Sequence, residues 1–191
     1  MRSRPTEPTA ALAALISGNH RSLAARARAS AINEDAIYSQ GIRLQGSGVH
    51  APHSDHSFAL LVSLAVDAED LARAFDLAPS RPTVLPIAEQ GGALEGSHAN
   101  ALERVVAMPS LVIVVVIAQL LVADACGIAF ADAERRSMET LGAVLESSAS
   151  MRERMRERQL RAVAAILDAE SGRVHWLGEH ADQARLLGRE V

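Results

Sequence analysis

Aromatic residues are scarce in this chain of 191 residues: one Trp, one Tyr and three Phe, 3% in all. Any core must therefore be aliphatic, and Ala, Leu and Val supply most of the 49% hydrophobic fraction. Cysteine is scarcer still. Cys126 stands alone, which excludes an internal disulfide and fits a reducing compartment. An excess of positive charge is also missing, with 19 basic residues against 23 acidic ones and a net charge of -4. That balance excludes a general nucleic-acid binder and a binder of anionic membranes, both of which need a basic face. The local group Arg21, Arg26 and Arg28 reads as a solvated helix face. The start of the chain carries no signal-peptide core with a cleavage site, so the expected location is the cytoplasm. The length suits one domain, or one protomer of an assembly, with a sizeable core.

One long hydrophobic run is present, from Leu111 to Ala131. It approaches the roughly 20 residues a membrane span needs. Asp124 within it would cost about 2.5–3.5 kcal/mol in hydrocarbon. Its first part, Val112 to Ile117, is β-branched throughout, which favours a buried parallel strand. No membrane span is expected.

The remaining signals alternate between strand and helix. Thr9 to Ile16 has helical character, Ser17-Gly18-Asn19 reads as a stop, and His20 to Ile32 resumes a helix. Residues 39–57 collect Gly, Ser and Pro and read as a loop. Phe58 to Ala65 reads as a buried strand. Asp67 is placed to cap a helix from Ala68 to Phe75, whose first turn holds Glu69 and Asp70. Thr83 to Ile87 is a short strand, and Ser97 is placed to cap a helix running to about Met108. After the strand at 111–117, Ala118 to Leu145 reads as largely helical. Residues 151–158, Met-Arg-Glu-Arg twice, read as an exposed helix face of alternating charge. Leu160 to Leu167 and Arg173 to Leu177 form a hairpin around Glu170-Ser171-Gly172, and a helix over 180–187 closes the chain. The pattern predicts an α/β fold with a mainly parallel central sheet flanked by helices and a C-terminal β-hairpin.

Four stretches carry a resemblance to a known family. They are Ala11-Leu-x-x-Leu15-x-x-Gly18-Asn19-x-Arg21; Phe58 to Val62 leading on to Ala74-Phe75-Asp76; Gly91 and Gly96-Ser97 leading into Leu111 to Val116; and Ala162 to Asp168 with Ser171-Gly172-Arg173-Val174-x-Trp176-Leu177. In this order and spacing they resemble the beta-class carbonic anhydrases over nearly the whole chain. The resemblance implies that family's fold, with an N-terminal helical arm over residues 1–38 and an α/β domain over 39–191. It also implies a dimer or higher homo-oligomer in which N-terminal helices wrap the neighbouring subunit.

The family's chemistry does not follow as readily. The resemblance implies a zinc ion held by two cysteines and one histidine. The first cysteine opens a Cys-x-Asp-x-Arg motif, and the positions corresponding to it here are Leu64, Val66 and Ala68. The family's Gly-His-x-x-Cys-Gly motif falls after the strand at 111–117. Aligned on the strand, its histidine and cysteine positions are Gln119 and Val122; aligned on Cys126-Gly127, they are Ala123 and Cys126. The arginine of the family's Arg-x-Ala-Gly turn is replaced by Ala88. One cysteine cannot supply two thiolates, and catalytic zinc needs at least three protein ligands. Without the metal nothing lowers the pKa of a bound water to about 7. The expectation is a catalytically inactive, cofactor-free protein with a structural or regulatory role, as a homo-oligomer or with a hetero-partner protein.

Other groups carry alternatives. Glu89, Gln119 and Asp124 are the polar residues nearest the old pocket and would line a remodelled, zinc-free site for an enzyme or a small-molecule binder. His50, His53 and His56, with Asp55, form a metal-like cluster that would serve a carbonate dehydratase with an atypical metal site. They fall in the Gly/Ser/Pro-rich loop, where an exposed polar segment accounts for them as well. Cys126 reads as a small core residue, since no basic neighbour in sequence would activate it. Gly46-x-Gly48 and Gly91-Gly92 lack the spacing of a phosphate loop. His175 and Trp176 alternate across a strand, so one should face the core and the other solvent or a partner.

Overall fold

A computed structural model describes residues 5–32, 57–64, 66, 68–76, 83–87, 94, 96–120 and 127–188. In order, these form α1 (Pro8–Ile32), β1 (Ala59–Leu64), α2 (Ala68–Ala74), β2 (Thr83–Ile87), α3 (Gly96–Val106), β3 (Ile113–Leu120), α4 (Ile128–Ser147), α5 (Ala149–Arg156), β4 (Arg161–Asp168), β5 (Val174–Gly178) and α6 (Gln183–Leu186). The five strands make one sheet in the order β2-β1-β3-β4-β5. The first three pairings are parallel, and β4 with β5 is antiparallel. This is the α/β architecture expected.

The apolar runs have their cause in two helical layers. Leu60, Val62, Leu64, Val114, Val116, Ala164 and Ile166 pack against α3, α4 and α5. The alternate residues Ala59, Leu61, Ile113, Val115, Ile117, Val163 and Ala165 pack against α1 and α2. Both faces of β1 and β3 are thus covered, so neither strand shows a polar alternation. No helix among the described residues is long and apolar enough to cross a membrane.

Several sequence expectations are corrected. Ser17-Gly18-Asn19 does not stop a helix; α1 runs through it unbroken. Gly18 is there for close approach, because a Cβ would run into the carbonyl oxygen of Phe75. Asn19 turns its amide to distant backbone groups rather than to its own helix end. Ala118 to Leu120 are not helical either. They extend β3, where Gln119 pairs with Leu167 and Leu120 with Asp168, so ladder bonds override helix propensity. Gly96 and Ser97 already lie within α3, so Ser97 is not its cap. The charged run at 151–158 is not merely a solvated face. Met151 and Met155 bury into the core, and Arg152, Arg154 and Arg156 donate to the carbonyls that end α4, α3 and α6.

The closing hairpin follows the expected turn. Gly172 adopts φ 73°, and its N–H donates to the Asp168 carbonyl at 2.8 Å. His175 and Trp176 leave the sheet on opposite faces, and both are partly buried. Trp176 packs against Phe75 at 5.9 Å between ring centroids, and His175 meets Phe130 edge-on at 5.4 Å. The α6 helix is shorter than the span 180–187. His180 precedes it and accepts the Asp182 N–H on Nδ1 at 3.1 Å.

Candidate functional site

In an open parallel sheet, ligands bind outside the carboxyl ends of the strands, where the strand order reverses. Here that point lies between β1 and β3, since β2 lies on one side of β1 and β3 on the other. Leu64 ends β1 and is 4% exposed, facing the α3/α4 layer. Val66 is 5% exposed and faces the α1/α2 layer. Buried Ser63 holds the Val66 backbone: its hydroxyl accepts the Val66 N–H at 3.0 Å and donates to the Val66 carbonyl. Ala68 opens α2 and is exposed. The side chains of Leu64, Val66 and Ala68 carry no atom that could ligate a metal or bind a ligand's charge.

Gln119 follows Ile117 on the α1/α2 face of β3, opposite the face of Leu64. Glu89, Val122, Ala123, Asp124, Cys126 and the cluster His50, His53 and His56 lie outside the described residues. Among the described residues, no group of three or more His, Cys, Asp or Glu is placed to hold a metal ion.

Gln119 instead lines a small cleft at the carboxyl ends of β3 and β4, which it shares with Arg26, Asp70, Leu167, Asp168 and Gly172. Arg26 comes from α1, Asp70 from α2, and Gly172 from the β4–β5 turn. Asp70 is paired with Arg73 at 2.8 Å. Asp168 Oδ1 accepts the N–H groups of Glu170 (3.0 Å) and Ser171 (3.3 Å), while Oδ2 accepts the Ser171 hydroxyl. Burial raises the pKa of Asp168, but the Ser171 hydroxyl, the two amides and the nearby His175 outweigh it, and the carboxyl sits below its ordinary value. Sequence reasoning placed Gln119 near a pocket but read Arg26 as part of a solvated helix face, Asp70 as a first-turn charge of a helix and Asp168 as part of the closing hairpin; Arg26 is instead partly buried. Their only shared signal is tertiary: α1, α2 and the hairpin turn meet at this sheet end.

A scan against protein-family models and a search of curated proteins return no match. Solved structures do. The beta-carbonic anhydrase CafA of the fungal pathogen Aspergillus fumigatus aligns with a TM-score of 0.53 at 18% identity, over 70% of this chain and 81% of that one. One of two tetrameric beta-carbonic anhydrases from the filamentous ascomycete Sordaria macrospora aligns with a TM-score of 0.46 at 15% identity, over 65% and 82%. CafD of Aspergillus fumigatus gives 0.44 at 13% identity, over 66% and 92%. The chain has the beta-carbonic anhydrase fold. At 18% identity it is the fold that the likeness to CafA shows.

Proposed function

We propose that this protein is a zinc-free member of the beta-carbonic anhydrase fold that does not hydrate carbon dioxide and acts as a structural or regulatory partner in a homo-oligomer. The observation that carries this reading is the end of β1. Leu64 and Val66 are apolar and buried, with the Val66 backbone held by Ser63, where the resemblance implies a thiolate and a carboxylate. A lone cysteine in the whole chain supports the same reading, because the family's Cys₂His set needs two. Zinc per protomer, measured by inductively coupled plasma mass spectrometry on protein produced with ample zinc, tests it together with stopped-flow carbon dioxide hydration. The expected results are a zinc ratio near zero and no acceleration over buffer. Stoichiometric zinc with measurable hydration would overturn the reading.

A second reading, a small-molecule binder with a remodelled site, is favoured by one specific observation. Gln119 lies in a cleft with a charged arginine and two carboxylates, at the sheet end where α/β folds place ligands.

A further inference from the structure

We propose that α1 is a strap that closes the β5 edge of the sheet, and that a second copy of this chain adds its own β5 to that edge once Asn19 lets go. The sheet runs β2-β1-β3-β4-β5, so β2 and β5 are its edges. An edge strand offers unpaired N–H and C=O groups to any other strand unless something covers or blunts it. The two edges here are protected in different ways.

On β2 the blunting lies in the strand itself. Thr83 turns its N–H towards β1, donating to the Ser57 hydroxyl at 3.0 Å. Backbone groups alternate in direction along a strand, so position 86 faces outward. The residue there is the exposed Pro86, which has no N–H to give.

β5 has no such device. Val174 to Gly178 contains no Pro, Asp, Glu, Lys or Arg. Arg173 faces β4, since its carbonyl accepts the Asp168 N–H at 2.9 Å. Val174 therefore faces outward, and its N–H is the first donor on the free edge. Asn19 of α1 takes it: Oδ1 accepts the Val174 N–H at 3.1 Å, while Nδ2 donates to the Gly172 carbonyl at 2.9 Å. A side chain thus stands where the backbone of a neighbouring strand would. Two glycines let the helix lie this close. A Cβ at Gly18 would meet the Phe75 carbonyl oxygen, and one at Gly172 would meet the Arg26 guanidinium. Arg21 adds a second hold, its Nε donating to Asp76 at 2.7 Å.

The occupant that fits the uncovered edge is a second β5. Two-fold symmetry gives an antiparallel pair. That pairing sets the exposed Arg173 of each strand at the end of the other that carries exposed Glu179, which also holds Arg161 at 2.9 Å. Parallel pairing would bring like charges together. Metal content has no part in this: a zinc-loaded protein would end the zinc-free reading and leave the strap untouched.

The test is sedimentation velocity of the full chain, with hydrogen exchange read at the Val174 amide at low concentration. In the wild type that amide should be protected, and Val174→Pro should leave the sedimenting species unchanged. Asn19→Ala should exchange there about 10-fold faster and form an added species of twice the wild-type mass that grows with concentration. Asn19→Ala combined with Val174→Pro should lose that species, because the outward donor is gone while the ladder to β4 is intact. Unchanged protection of Val174 in Asn19→Ala, free exchange without a larger species, or a larger species that survives Val174→Pro would overturn the proposal. Should Asn19→Ala fail to fold, Asn19→Ser takes its place, and a labelled peptide of residues 173–179 is titrated into it and into the wild type. Peptide bound by the variant alone supports the strap; peptide bound by both or by neither sinks it.

Discussion

Asn19 is 2% exposed and holds three elements together. Its Nδ2 donates to the carbonyls of Ala74 and Gly172, each at 2.9 Å, and its Oδ1 accepts the Val174 N–H at 3.1 Å. It thus ties α1 to the end of α2 and to the hairpin turn that walls the cleft beside Gln119. Asn19→Ala would leave two carbonyls and one N–H without partners, at about 1–3 kcal/mol for each group that water cannot reach. The expected net loss in urea denaturation is about 3 kcal/mol, and Asn19→Asp should not rescue it, because a carboxylate would face two carbonyl oxygens. Gly18→Ala is expected to cost about 1–3 kcal/mol, since its new Cβ meets backbone at Phe75 that cannot move aside alone. The sequence read Ser17-Gly18-Asn19 as a helix stop because the same residue types serve caps, turns and close contacts. What decides between these uses is a partner 55 or 153 residues away, which no local window contains.

Elements show how far charge patterning alone can mislead. The alternating run at 151–158 has the look of a solvated face, yet α5 lies between the ends of other helices. All 19 basic residues are arginine, and on α5 three of them act as helix-end donors. Arg154 spans the carbonyls of Val106, Met108 and Leu111 with two nitrogens, and burial lowers its pKa, with Glu157 opposing. A lysine has no fork to span them. Arg154→Ala should cost about 2 kcal/mol and Arg154→Lys should recover less than half of that, read from urea midpoints. The β4–β5 hairpin supplies the acid dependence. Asp168 titrates below its ordinary value in the fold, so its stabilising contribution is present above about pH 4, the unfolded value, and is lost as pH falls through the lower folded value. The stability gap between wild type and Asp168→Asn should therefore narrow between about pH 6 and about pH 3. A gap that stays constant would mean that the Ser171 and amide bonds do not depend on the charge.

At the scale of the whole molecule, the sheet was legible and the cleft was not. Apolar runs at 59–64, broken only by Ser63, and at 112–118 announce strands covered on both faces, and helices on both sides supply that cover. The face that Gln119 presents depends on β3 continuing to Leu120, and a helical reading of 118–145 hides it. The face of α1 is likewise a property of the assembled chain. Ala11 and Leu15 are fully buried against the sheet, whereas Leu12, Ile16 and Leu23 are only partly covered. Spaced four and seven residues apart, these three form one row beside the buried stripe. An apolar row of this kind on a 25-residue helix is what a second copy would cover if the protein works as a homo-oligomer. Ile16→Arg combined with Leu23→Arg should then shift sedimentation velocity from dimer or larger to monomer, with the fold retained by circular dichroism. A wild type that sediments as a monomer over micromolar concentrations would separate the fold from the assembly and leave the row to a different protein.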